Sequence, residues 1–166
     1  MPASDQGASQ DRYMLIPRVL IFVRRGEQVL LLRGSPTKRL WPNRYNGLGG
    51  HVEPGEDLLA AARRELLEEA GLQADLWLCG TLVVDTGQNP GIGIFVFTGV
   101  CPEGEPEASA EGTLHWVEIG AVSSLPGVDD LPVMLERIRG MAPGEPPFAG
   151  RSFYDPDGKL VLQFNA

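Results

Sequence analysis

The sequence predicts an α/β fold in a single domain. Short apolar runs of strand length are separated by turn residues, and two further segments have the spacing and end signals of helices. The chain has 166 residues, of which 43% are hydrophobic, so it can bury a sizeable core within one domain. We therefore expect a flexible tail over residues 1–12 and one domain over residues 13–166.

The first elements form a predicted hairpin. Two apolar runs, 19–23 and 28–32, flank the turn-forming segment 24–27 and indicate buried strands. Residues 33–47 follow, with Gly34, Pro36, Pro42 and Gly47, and predict a long loop. Loops of this length in compact domains are usually functional, so substrate could enter here.

A helix is predicted after the turn at Pro54 and Gly55. Glu56 and Asp57 suit its first turn, where acidic side chains complement the helix dipole, and Gly71 suits its C-terminal end. The apolar positions of this segment recur at helical spacing and predict a core stripe made of Leu59, Ala62, Leu66 and Ala70.

The rest of the chain adds strands and a second helix. Residues 76–84, 92–100 and 113–117 indicate strands, 131–140 a helix with Pro132 in its first turn, and 148–164 a terminal hairpin. The loop over residues 86–93 is rich in glycine but lacks the Gly-Lys-Ser/Thr ending of a phosphate-binding P-loop. We expect it to be an ordinary turn.

Three carboxylates share one arc of the first predicted helix. Glu65, Glu68 and Glu69 lie at i, i+3 and i+4, so their side chains can converge on one point. Like charges at these spacings are unfavourable, and no lysine lies between residues 57 and 72 to compensate them. A bound cation would compensate them, and oxygen ligands favour Mg²⁺ or Mn²⁺. The alternative is an ordinary helix with a solvated acidic face.

Charge and composition exclude several classes of partner. The net charge of −8 and pI near 4.7 argue against broad binding to nucleic acid or anionic lipid. The first residues lack the apolar core of a signal peptide, and no run approaches the length of a membrane span. Cys79 and Cys101 fit neither a metal motif nor a disulfide scaffold. We expect a cytoplasmic protein with no membrane partner; its oligomeric state is not readable from the chain.

The segment around these carboxylates resembles the Nudix box at every defined position. The matching pattern is Gly50-x5-Glu56-x7-Arg64-Glu65-Leu66-x-Glu68-Glu69-x-Gly71-Leu72. The resemblance implies an α/β/α sandwich with a mixed β-sheet, in which the box forms a loop–helix–loop motif. It also implies hydrolysis of a nucleoside diphosphate linked to another group, at a Mg²⁺ site made by the three carboxylates and the Gly50 carbonyl.

The resemblance extends to the MutT-like branch through residues 41–50. There the asparagine that matches Asn46 contacts the nucleobase, whereas Tyr45 and His51 depart from the usual residues. Glu111 looks like the loop carboxylate that reaches the metal in this branch; otherwise it is a solvated acid. Asp129 and Asp130 lie where eukaryotic members carry paired acids that contact an oxidised purine, or else they cap the following helix.

The remaining residues of the motif have supporting roles. Arg64 would orient a carboxylate, contact phosphate or form a surface ion pair, and Glu56 would be structural. We expect His51 and His115 to be packing or surface residues and not catalysts. The resemblance implies hydrolysis of a purine nucleoside triphosphate, including oxidised forms, to a monophosphate and pyrophosphate. The alternatives are a dinucleoside polyphosphate, a nucleotide sugar or the 5′ end of RNA as substrate, or a nucleotide-binding Nudix domain without catalysis.

Overall fold

The computed structural model describes residues 2–9, 11–101, 103–107 and 109–165. Its strands are β1 (Leu15–Arg25), β2 (Gln28–Gly34), β3 (Tyr45–Asn46), β4 (Asp75–Val84), β5 (Gly91–Val100), β6 (Gly112–Glu118), β7 (Phe148–Tyr154) and β8 (Leu160–Phe164). Its helices are α1 (Leu58–Ala70) and α2 (Leu131–Arg139), with short 3₁₀ segments at Ala3–Gln6 and Ile119–Ser124.

The described strands form one mixed sheet in the order β3-β2-β1-β5-β4-β7-β8, and β6 also pairs with β2. β1 runs parallel to β5, and β4 runs parallel to β7, whereas the other neighbours are antiparallel. An irregular segment over residues 48–51 lies beside β1. It pairs with this strand through two bridges, Arg18 with His51 and Ile21 with Leu48. This segment leads directly into the loop before α1.

Each helix covers one face of the sheet. β1 shows the division, because Ile21 packs in the cluster that contains α1 and Phe22 packs in the cluster that contains α2. Successive residues of a strand point to opposite faces, so the two clusters lie on opposite sides of β1. The α/β class and the α/β/α sandwich with a mixed sheet are confirmed.

The ends of α1 differ in one respect from the prediction. Asp57 is the N-cap, and its Oδ1 accepts hydrogen bonds from the backbone of Leu59 and Ala60 at 2.9 Å. Glu56 therefore precedes the helix, and the expectation that both acids lie in its first turn is wrong. Gly71 ends the helix as predicted, with a φ of 65° that an L-residue rarely adopts.

The loop predicted over residues 33–47 holds one short strand, β3, which its apolar content does not reveal. Pairing with β2 determines it, with Arg33 opposite Tyr45 and Leu32 opposite Asn46.

The division into a tail over 1–12 and a domain over 13–166 stays a prediction, and Met1 and Gln10 lie outside the described residues.

Gly80 of β4 is the point where β7 packs most tightly on its neighbour. A Cβ placed on Gly80 would lie 2.1 Å from Cζ of Phe148, a core residue of the α2 side. Gly120, in contrast, has nothing within 4 Å of the corresponding position.

We expect Gly80→Ala to destabilise the protein by about 1–3 kcal/mol, because the Phe148 ring must leave its packed position. Gly120→Ala is the matched control and should change the free energy of unfolding by no more than about 0.5 kcal/mol. Urea denaturation of the three proteins gives both values. Equal stability of the two variants would contradict this packing assignment.

Candidate active site

Two consecutive glycines bring the loop before α1 against its carboxylates. The backbone N–H of Gly49 donates to Oε2 of Glu69 at 2.8 Å. A Cβ on Gly50 would lie 2.4 Å from Oε1 of Glu65, so a side chain at this position would displace the Glu65 carboxylate. The Gly50 carbonyl accepts a hydrogen bond from Val19 at 2.9 Å and retains a second lone pair.

Arg64 connects α1 to this loop through several hydrogen bonds. Its guanidinium donates to both carboxylate oxygens of Glu56 at 2.7 and 3.1 Å, and to the carbonyl of His51 at 3.1 Å. The same group donates to Glu65 at 2.8 Å and to Glu68 at 3.2 Å. These bonds from Arg64 lower the pKa of Glu56, and the carboxylates of Glu56 and Glu65 raise the pKa of Arg64. Arg64 thus orients carboxylates on both elements.

Glu69 is the buried member of the carboxylate arc. Its relative exposure is 6%, and burial raises its pKa to about 7, although the Gly49 hydrogen bond opposes that shift. The charges of Glu65 and Glu111 also raise this pKa, and the charge of Lys38 lowers it. Glu69 is therefore packed on the inner side of α1, which a solvated acidic face does not explain.

Glu111 lies near this cluster and is paired with a lysine. Oε2 of Glu111 is 2.8 Å from Nζ of Lys38. The backbone carbonyl of Glu111 also accepts a hydrogen bond from the N–H of Ser35 at 2.9 Å. Glu111 therefore joins the 33–47 loop to the start of β6.

These groups suit a divalent cation by their chemistry. Within the described ranges, no three His, Cys, Asp or Glu side chains stand close enough together to enclose a metal ion. Arg64 pairs with Glu65 and Glu68, and Lys38 pairs with Glu111. The donor set nevertheless consists of oxygens, and one carboxylate is desolvated, which together fit a hard cation such as Mg²⁺.

A second group of candidate residues surrounds β3. The N–H of Tyr45 donates to the carbonyl of Pro126, and the carbonyl of Tyr45 accepts from Val128, both at 3.0 Å. This pairing brings Asn46 next to the segment that leads into Asp129 and Asp130. Oδ1 of Asn46 accepts a hydrogen bond from Gly47 at 2.8 Å, which orients the amide.

The paired acids before α2 have different environments. Asp129 is exposed, with Oδ1 3.6 Å from Nη1 of Arg44. Asp130 is half-buried, and burial followed by the charge of Asp129 raises its pKa. Asp130 occupies the N-cap position of α2, but its side chain accepts no capping hydrogen bond. The capping alternative therefore does not account for Asp130.

Two basic residues near these groups were not singled out from the sequence. Lys38 pairs with Glu111, and Arg44 donates to the carbonyl of Gly127 at 2.9 Å. Both lie in the 33–47 loop. The length of that loop and its basic residues are the sequence features that could have indicated them. The His115 side chain belongs to the group around β3, since it contacts the Tyr45 ring and its Nε2 is 2.9 Å from Oγ1 of Thr113. His51 is exposed and contributes its backbone carbonyl to Arg64.

The NUDIX domain model matches residues 14–138, which include both groups of candidate residues. The chain belongs to the Nudix family. An oxidized purine nucleoside triphosphate hydrolase of Danio rerio is 35% identical over 126 residues, covering 72% of this chain and 80% of the relative. An m7GpppN-mRNA hydrolase of Bos taurus is 46% identical over 56 residues, but these cover only 33% of this chain and 18% of the relative.

The fold is likewise that of MutT proteins. The crystal structure of a MutT protein from Bacillus halodurans superposes with a TM-score of 0.75 at 25% identity, covering 91% of this chain and 98% of that one. The predicted resemblance to the Nudix family and its MutT-like branch is confirmed, and the protein is a Nudix hydrolase. The family generally uses divalent metal ions and binds nucleotide substrates. None of the described helices is long and apolar enough to cross a membrane.

The environment of Asp130 leads to a pH-dependent stability prediction. Its folded pKa lies above its unfolded value, so the ionised side chain destabilises the native state at neutral pH, and this cost disappears as pH falls below the unfolded pKa. We expect Asp130→Asn to raise the melting temperature at pH 7, and this gain should shrink towards about pH 4. Thermal unfolding at both pH values measures the effect, with Asp157→Asn in the exposed turn before β8 as the control. An equal gain at both pH values would argue against a raised pKa.

Proposed function

We propose that this Nudix hydrolase is a Mg²⁺-dependent pyrophosphohydrolase of purine nucleoside triphosphates, including oxidised ones, which releases a monophosphate and pyrophosphate. The observation that carries the proposal is the packing of Glu65 and Glu69 against Gly50 and Gly49, because it holds two carboxylates of the α1 arc against the loop that contains the proposed carbonyl ligand. The similarity to the oxidized purine nucleoside triphosphate hydrolase extends over most of both chains and supports this substrate class.

The proposed mechanism divides the work between carboxylates and a positioning arginine. Glu65, Glu68, Glu69 and Glu111 would hold Mg²⁺, or Mn²⁺ in its place, together with the Gly50 carbonyl. The metal would supply charge neutralisation at the phosphate oxygens and a lower pKa for the water that attacks phosphorus in line. One carboxylate of the α1 arc accepts the proton of the attacking water. Arg64 positions this arc through its bonds to Glu65 and Glu68, and Glu56 holds Arg64.

The nucleobase of the substrate is proposed to lie between Asn46 and the paired acids Asp129 and Asp130. The Asn46 amide offers a donor and an acceptor to a purine edge. Asp130 lies half-buried at the start of α2, where its carboxyl can hydrogen-bond the edge of the nucleobase. Tyr45 connects the two elements through its backbone, so both sides of the proposed base site are held in register.

The second candidate function is hydrolysis of an RNA 5′ end. Its support is the higher identity to the m7GpppN-mRNA hydrolase, which is confined to 56 residues. Those residues match less than a fifth of that relative, so they carry the shared chemistry of the family more than a shared substrate. Because the metal-binding carboxylates are all present, we do not favour a non-catalytic nucleotide-binding domain.

The proposed compartment is the cytoplasm, where buried Cys79 and Cys101 remain reduced thiols.

Glu68→Gln and Glu69→Gln test the carboxylate assignment. Each should lower kcat by on the order of a hundredfold or more, because a divalent metal provides several kcal/mol of transition-state stabilisation. Steady-state kinetics at saturating substrate and Mg²⁺ give the values. Glu136 is an exposed residue of α2, on the face of the sheet opposite α1, so Glu136→Gln removes the same charge there and should leave kcat unchanged. Near wild-type turnover in either α1 variant would show that the site is assigned to the wrong residues.

Asn46→Ala tests the substrate class. A buried amide that pairs with a base discriminates against bases that leave it unpaired. Wild type should cleave purine triphosphates, including 8-oxo-dGTP, better than dinucleoside polyphosphates, nucleotide sugars or capped RNA. The variant should have a higher KM and a flatter preference among bases, with little change for a poor substrate. A screen of these substrates with product detection measures the preferences of both proteins. If wild type efficiently cleaved only a nucleotide sugar, the MutT-like substrate would be rejected and the Nudix chemistry would remain.

A further inference from the structure

Lys38 is the one lysine of the described 33–47 loop, and its ammonium is directed at the candidate metal-binding residues. Nζ of Lys38 lies 2.8 Å from Oε2 of Glu111, and the two side chains are 30% and 51% exposed. The backbone strengthens this arrangement, because the N–H of Lys38 donates to Ser35 at 3.0 Å and the N–H of Ser35 donates to Glu111 at 2.9 Å. The pair is therefore held by a local turn as well as by charge.

The Lys38 charge also reaches the buried end of the carboxylate cluster. Glu69 experiences the negative charges of Glu65 and Glu111 and, in the opposite direction, the positive charge of Lys38. Arg64 has the corresponding role on α1, where it pairs with Glu65 and Glu68. Thus each carboxylate of the proposed metal site faces either a protein cation or, for Glu69, a backbone N–H.

We propose that Lys38 is a built-in counter-cation for Glu111, which a divalent metal must displace before Glu111 can become a ligand. This inference rests on the proposed function, in which Glu111 binds the metal. A lysine ammonium is a point charge on a flexible four-carbon stem, so it can leave without a backbone change. It also repels a divalent cation at the same carboxylate, so the ammonium and the metal compete for Oε2 of Glu111.

Lys38 is consequently a positioning residue that lowers the affinity of the free protein for metal. It keeps Glu111 oriented in the absence of metal and competes with the metal for the same oxygens. Removal of the ammonium should have two opposite effects: tighter metal binding and a lower stability of the metal-free protein. A residue that only contacts substrate phosphate would show neither effect in the absence of nucleotide.

The experiment measures Mn²⁺ binding to the full chain without nucleotide, by electron paramagnetic resonance of free Mn²⁺. We expect Lys38→Met to bind Mn²⁺ at least about threefold more tightly than wild type, and Lys38→Arg to stay near wild type. Arg39→Met removes the same charge from the neighbouring residue of this loop and should change the affinity much less. In thermal unfolding with a chelator, Lys38→Met should have a lower melting temperature than wild type. When Mn²⁺ is added, the melting temperature of Lys38→Met should rise more than that of wild type.

A double variant tests whether the effect passes through Glu111. In the Glu111→Gln background, Lys38→Met should no longer tighten Mn²⁺ binding, because the shared carboxylate is gone. An affinity of Lys38→Met equal to that of wild type or of Arg39→Met would overturn the proposal, as would the same tightening in both backgrounds. If Lys38→Met does not fold, Lys38→Gln provides the same comparison.

The outcome is separable from that of the proposed function. If wild type binds no Mn²⁺ and cleaves no nucleotide, the metal site itself is rejected, and the Lys38 proposal with it. If wild type binds Mn²⁺ and cleaves a nucleotide but the Lys38 variants keep its Mn²⁺ affinity, only the role of Lys38 is rejected. Increased KM for nucleotide at unchanged Mn²⁺ affinity would likewise reject it and would indicate a phosphate contact instead.

Discussion

The close approach of the 48–51 segment to α1 is the contact on which the site depends. Gly49 and Gly50 permit it, because a side chain at Gly50 would overlap the Glu65 carboxylate. The same segment pairs with β1 through Leu48 and His51, so the position of α1 is coupled to the centre of the sheet. Arg64 completes the connection by donating to the His51 carbonyl and to Glu56. A substitution at Gly50 would therefore disturb backbone pairing and carboxylate geometry together.

Charge balance is the second constraint on this site. A chain with a net charge of −8 concentrates several carboxylates on and near α1, and burial of Glu69 makes their repulsion more costly. Arg64 on the helix and Lys38 on the loop provide compensating charge. They differ in mobility, since Arg64 is held by several hydrogen bonds at once and Lys38 by one ion pair. This difference is the reason that metal binding is proposed to displace Lys38.

The proposed base site depends on a different contact, the backbone pairing of Tyr45 with residues 126–128. It joins a short strand at one edge of the sheet to the start of α2, which are about 80 residues apart in the chain. Asn46 and Asp130 thus come from elements that share no local sequence signal. Since α2 packs on the face opposite α1, the two proposed subsites are anchored in separate hydrophobic clusters.

Local sequence by itself determined most of the secondary structure and the identity of the Nudix motif. The strands around residues 19–23 and 28–32 and the end of α1 at Gly71 follow from apolar runs and glycine conformation, which are properties of neighbouring residues. Tertiary structure alone decided which carboxylates are buried, because Glu65, Glu68 and Glu69 are equivalent by helical spacing but differ in what packs against them. It also decided the partners of Lys38 and Asp130 and the existence of β3. Each of these depends on pairing between distant segments, and no residue near them in the chain encodes the partner.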